Sequence, residues 1–155
     1  MRDYLRTMKK SLGGATVAAI DAFEKRQDLE LPAPYREFLL QANGGKPMLA
    51  EFMVDSWGSS RVTTFFGLVQ DPSYNLDRYV EVHRESLAIT LLPIGCDPGG
   101  NVIAIRVAGE YAGRVEFAPH DFVDRDEVSE VLPSYPVARD FDEFFAGLQP
   151  DGAFD

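Results

Sequence analysis

The sequence predicts an α+β domain: an antiparallel meander packed by N-terminal helices, a middle helix and a C-terminal helix. Three observations predict it. Apolar residues recur at helical spacing towards both ends of the chain, short β-branched and aromatic runs lie in the middle, and tight turn sequences separate the later runs. Helices and strands are grouped rather than alternating, which argues against a parallel α/β sheet.

The first helix is expected over residues 16–27, with Val17, Ile20 and Phe23 on one face, Asp21, Glu24, Lys25 and Arg26 outward, and Thr16 as the N-cap. Pro32 stops it, and Pro34 suits the first turn of a second helix. In that helix Tyr35, Phe38, Leu39 and Ala42 follow helical spacing. Gly44 or Gly45 then ends it in a left-handed conformation. MLAEFMVD reads as a short strand or a packed loop, Trp57-Gly58-Ser59-Ser60 as a turn, and RVTTFFGL as a strand. Asp71-Pro72-Ser73 marks a break, after which Leu76, Tyr79, Val80, His83 and Leu87 predict a third helix over residues 74–87. The period then changes. ITLLPIG, NVIAIRV and RVEFA are successive strands, the first two joined by the turn Asp97-Pro98-Gly99-Gly100. Phe141, Phe144, Phe145 and Leu148 place a last helix over residues 140–148.

At 155 residues the chain fits one domain, 1–155, with its core over about 16–148, and it is large enough to fold without a disulfide or a metal. The N-terminal stretch has no apolar run of the kind a secretory signal carries, and no apolar stretch reaches the roughly 18 residues of a bilayer span. A single cysteine, Cys96, fits a reducing compartment. A cytoplasmic protein without membrane contact is therefore expected. The formal net charge of −10 argues against a nucleic-acid ligand. Its distribution is uneven: residues 110–155 hold 12 acids and 3 bases, against 13 acids and 12 bases in residues 1–109.

No catalytic constellation stands out. Cys96 with His83 or His120 would need a third group orienting the imidazole, and each residue has a structural reading instead. DPGGN lacks the spacing of a phosphate-binding loop and leads into a strand, so it reads as a hairpin turn. The run HDFVDRDEVSE contains Asp121, Asp124, Asp126, Glu127 and Glu130, but without a central glycine it does not match a calcium loop. No metal and no cofactor are expected. Those five acids read either as a solvated edge or as a docking surface for a basic partner. Trp57, beside a turn, reads as core or rim packing or as a binding anchor.

Taken in order, IDAFEKRQDLELPAPYREFLLQANGG, TTFFGL, LLPIGCDPGGNVIAIRV, GRVEFAPHD and DFDEFFAGL resemble the SUKH superfamily, the SMI/KNR type of domain. The resemblance rests on Ile20, Phe23 and Glu24; Leu31 and Pro32; Tyr35, Arg36, Phe38 and Leu39; and Asn43, Gly44 and Gly45. It continues through Pro93, Ile94, Gly95, Asp97, Gly100 and Asn101 to Phe141 and Phe144.

The resemblance implies a domain without catalytic residues, used in bacteria mainly as an immunity protein against polymorphic toxins, often nucleases, and in fungi within a cell-wall regulatory protein. It makes the expected partner a protein, a basic toxin domain in the first instance, with an endogenous partner of a regulatory module as the alternative. The contact residues expected are Asp121, Asp124, Asp126, Glu127, Glu130 and Trp57. The motif positions carry over as fold determinants only.

Overall fold

The computed structural model describes residues 2–120 and 131–154. The strands are β1 (Met8–Ser11), β2 (Gly45–Pro47), β3 (Glu51–Val54), β4 (Gly58–Arg61), β5 (Thr64–Phe65), β6 (Leu91–Cys96), β7 (Val102–Arg106), β8 (Val115–Ala118) and β9 (Tyr135–Ala138). Seven of them form an antiparallel sheet in the order β1-β2-β5-β6-β7-β8-β9, and a separate hairpin joins β3 to β4. The helices are α1 (Val17–Gln27), α2 (Ala33–Gln41), α3 (Leu76–Val82) and α4 (Phe141–Ala146). The expected α+β class and its β6-β7-β8 meander are present.

Local chemistry explains the helix limits. Thr16 accepts a hydrogen bond from the Ala19 amide at 3.0 Å, and Asp28 closes α1 in the left-handed region. Asn75 and Asp140 cap α3 and α4 in the same manner as Thr16, accepting from the amides of Arg78 and Glu143. Helix α3 is shorter than its periodicity predicts, because His83 leaves the helical region and residues 83–87 continue as turns. Leu87 stays buried all the same, held by a bond from its amide to the His83 carbonyl. Gly58 to Ser60, read as a turn, instead pair with β3, and RVTTFFGL divides between β4 and β5. β1 carries too few apolar residues to announce itself; pairing with β2 makes it a strand.

Alternation along the central strands builds two faces. Ile103, Ile105, Val115 and Phe117 face the helices, where they join Ile20, Phe23, Phe38, Leu39, Phe141, Phe144 and Phe145 in one core. Its centre is aromatic: Phe38 lies 4.8 Å from Phe141 and 5.2 Å from Phe65, and Tyr4 meets Phe145 edge to face at 5.1 Å. Each such ring stabilises the fold by about 1.5–3 kcal/mol through burial. On the opposite face Leu91, Val102, Ala104 and Ala118 form a smaller cluster with Leu87 and Leu132.

The step from α2 into β2 is made by Asn43, Gly44 and Gly45, whose φ angles are 55°, 92° and 111°. A Cβ on Gly45 would coincide with the Lys10 carbonyl, and one on Gly67 with the Asn43 carbonyl. Asn43 closes this crossing. Its Oδ1 accepts from the Leu68 amide at 2.8 Å, and its Nδ2 donates to the Leu68 carbonyl at 3.2 Å. Replacement Asn43→Ala orphans both groups of Leu68 and leaves a strained backbone, so a loss of about 2–3 kcal/mol in unfolding free energy is expected. Urea titration of the two proteins measures it, and equal midpoints would show that the side chain merely occupies the crossing.

Candidate functional site

The polar residues of the sequence motifs hold the chain together. Glu24 accepts from the Leu31 amide at 2.7 Å and from Arg36 at 2.5 Å, while Arg36 also donates to Asp21 at 2.8 Å. One carboxylate thereby fixes the α1–α2 linker and the start of α2. Asp97 does the same for the β6–β7 turn. Its Oδ1 accepts from the amides of Gly99 and Asn101 at 3.0 and 2.8 Å; its Oδ2 accepts from Asn101 Nδ2 at 2.9 Å and Ser60 Oγ at 2.7 Å. The amides of this turn already carry a carboxylate rather than standing open to a phosphate, which supports the hairpin reading of DPGGN.

The thiol chemistry is equally unpromising. Burial, with Asp97 nearby, pushes the Cys96 thiol up, the reverse of what an activated thiolate requires. His83 stacks on Tyr79, and burial lowers its pKa, so the imidazole is neutral at pH 7. His120 stands over the β6–β7 turn, its Nε2 2.6 Å from the Gly99 carbonyl oxygen. Among the described residues no three of His, Cys, Asp and Glu are grouped to hold a metal, and no helix is long and apolar enough to cross a membrane.

Trp57 is partly buried at the β3–β4 turn, its ring centroid 4.6 Å from that of Phe117. Asp121, Asp124, Asp126, Glu127 and Glu130 lie outside the described residues. The described acids of the last third are largely engaged by cations or a helix end. Glu116 binds Arg106 and Arg114, Asp142 binds Arg2, Glu143 binds Arg139, Asp151 binds Arg61, and Asp140 caps α4.

The early end of α3 opens an apolar groove against β6, about 190 Å³ in volume, bounded by Leu29, Val80, His83, Leu87, Ile89 and Val107. Ile89, 98% exposed, stands at its rim. Leu29 also borders a shallow depression of about 540 Å³, which carries Asp21, Glu24, Asp28 and Glu30 with Lys25 and Arg36. Arg36 neutralises part of the charge of Asp21 and Glu24, while Asp28 and Glu30 form no ion pair among the described residues. The groove is small for a metabolite, and its lining is mostly apolar, with Gln27, His83 and Arg84 as its polar members. It can accept an apolar side chain from a partner, with acids beside it for a flanking cation. Sequence reasoning missed it because Ile89 looks like the first residue of a strand. The signal was the isolated aliphatic residue in SLAIT, set between Leu87 and Leu91.

A buried charge network sets the rim. Glu116, 1% exposed, accepts from Arg106, from Arg114 at 3.0 Å and from Ser134 Oγ at 2.7 Å. Arg106 also donates to Thr90 Oγ1 at 2.8 Å, and the Val107 amide donates to the Thr90 carbonyl at 2.9 Å. Thr90 adjoins Ile89, so the network holds the loop that presents it.

The profile of the SMI1 / KNR4 family (SUKH-1) matches residues 14–147. No curated protein matches the chain.

Although burial alone would raise the Glu116 carboxyl, the bonds from Arg106, Ser134 and Arg114 hold it below its usual range. The unfolded chain then binds more protons than the folded one, so this contribution is full above the ordinary glutamate value of about 4.3 and drains away as pH falls through the folded value. Asp77 and Asp142 are displaced in the same direction. Glu116→Gln is expected to cost about 3 kcal/mol at pH 7 and to flatten the acid limb of stability. Urea midpoints from neutral to acid pH compare the two proteins; parallel curves would refute the assignment.

Proposed function

Because the chain belongs to the SMI1 / KNR4 family (SUKH-1), we propose that it is a non-catalytic immunity protein that binds a cognate polymorphic toxin domain in the cytoplasm and neutralises it by stoichiometric occlusion. Family membership carries this reading. It is supported by the motif residues, whose polar groups hold turns and linkers and leave no reactive set. The expected partner is basic, as nuclease domains are when they bind phosphates, and the net charge of −10 favours its approach. The α3–β6 groove suits an apolar side chain of that partner, and Asp28 and Glu30 suit a neighbouring cation.

Growth of cells expressing the C-terminal domain of the protein encoded beside this gene, with and without this chain, tests the reading. Rescue and a one-to-one complex are expected, with an association rate that falls as salt rises. A toxic domain that is not rescued, or a harmless one, would turn attention to the alternative, a regulatory module for an endogenous protein. Ile89→Asp is expected to weaken the complex by about 30-fold while leaving thermal stability unchanged. Reversal of Asp124, Asp126 and Glu127 tests the acidic run as the docking face in the same assay.

Rescue by the variant Cys96→Ser, His83→Gln, His120→Gln is expected to equal that of the parent. Loss of rescue in a variant that melts normally would restore a catalytic role for these side chains.

A further inference from the structure

The chain is acidic, yet the cations it leaves outside ion pairs are not scattered, although one of them, Lys10, also lies over the Tyr74 ring, 5.0 Å from its centroid. Among the described residues the Lys and Arg side chains outside any ion pair are Arg6, Lys9, Lys10, Lys25, Lys46 and Arg78. Four of these, Arg6, Lys9, Lys10 and Lys46, lie on or beside β1 and β2 at one end of the sheet. A depression of about 360 Å³ there is bordered by Lys9, Lys46, Met48 and Arg61, with Asp151 on Arg61 at 3.3 Å as its one carboxylate. Exposed aliphatic side chains stand in the adjoining segments, Leu5 just before β1 and Met48 and Leu49 just after β2.

β1 is the terminal strand, with β2 on one side and, among the described residues, no strand on the other. The register slips between Met8 and Lys10, so Met8 enters the core while Lys9 and Lys10 are both exposed. Lysines on an open edge oppose pairing with a second copy, since antiparallel association would set lysine against lysine. The same lysines favour an acidic strand. The opposite edge, β9, carries Pro136, whose nitrogen cannot donate to an added strand.

We propose that the β1–β2 edge is a second interaction surface, one that takes an acidic, extended segment of a protein partner by strand addition to β1. Main-chain bonds to β1 would supply affinity, Lys9, Lys10 and Lys46 would select carboxylates, and Leu5 and Met48 would receive apolar side chains. A long polyanion fits less well, because the chain's net charge repels it beyond the edge itself. This surface is opposite in sign to the one suited to a basic toxin and does not depend on that reading.

The test is an NMR titration of the intact protein with a peptide of about ten residues alternating Glu and Thr, and with the same peptide carrying Lys for Glu. Amide shifts confined to Lys9, Lys10, Ser11 and Lys46, seen with the acidic peptide alone, are expected. Lys9→Glu with Lys10→Glu should weaken binding at least about tenfold, and the milder Lys9→Gln with Lys10→Gln severalfold. Both variants alter exposed side chains and should melt like the parent. The proposal is overturned if the acidic peptide does not bind, if it shifts amides elsewhere, or if the variants bind it equally. It is also overturned if phosphatidylserine vesicles or a single-stranded oligonucleotide engage these residues while the peptide does not.

Discussion

The architecture depends on a crossing of two backbones at the exit of α2. Asn43 grips both main-chain groups of Leu68, and Gly45 and Gly67 allow contacts that no side chain would admit. The crossing sets β2 against β1 on one side and β5 on the other, and β5 carries Phe65 into the aromatic centre. An error there would displace the edge strand and the core together. The heavy punctuation of LPAPYREFLLQANGG follows from this geometry. Proline opens α2 where an amide is dispensable, and Asn-Gly-Gly releases the chain into a space without room for Cβ atoms.

The two faces of the sheet are closed by different physics. The helical face is sealed by interlocking aromatic rings, which tolerate little rearrangement. The opposite face combines a small aliphatic cluster with the charge network around Glu116. A buried network of this kind confers position more than net stability, because desolvation offsets much of its attraction. The position it confers is that of residues 90 and 134, and the loop beside the groove inherits it. Rigid support from below and an exposed Ile89 above are the conditions under which one side chain can anchor a partner.

Much of this was legible. Helical spacing found α1, α2 and α4, and the alternation and turns of residues 90–118 found the meander, because these segments bury one continuous face each. β1 was not legible, since Met8-Lys9-Lys10-Ser11 becomes a strand only through a partner more than thirty residues away. The length of α3 was misjudged because Leu87 keeps helical spacing by coincidence, its burial coming from the second cluster. The groove was invisible for the same reason. Its walls come from α3, residues 83–90 and β6, and its existence depends on where a helix stops.

Charge is where composition and structure diverge most. Among the described acids of residues 110–155, Asp142, Asp151 and Glu116 receive Arg2, Arg61 and Arg106 from earlier segments, so their charge is not read from a sum along the chain. Pairing consumes cations unevenly. Arg36 is drawn to the α1–α2 linker, whereas the lysines of β1 and β2 form no ion pair among the described residues, so an acidic chain acquires a basic edge. Long-range steering responds to the summed charge, while recognition at contact responds to unpaired groups within about 10 Å, the distance over which salt leaves them visible. The chain can therefore attract a basic protein from a distance and still present lysines to an acidic strand at close range.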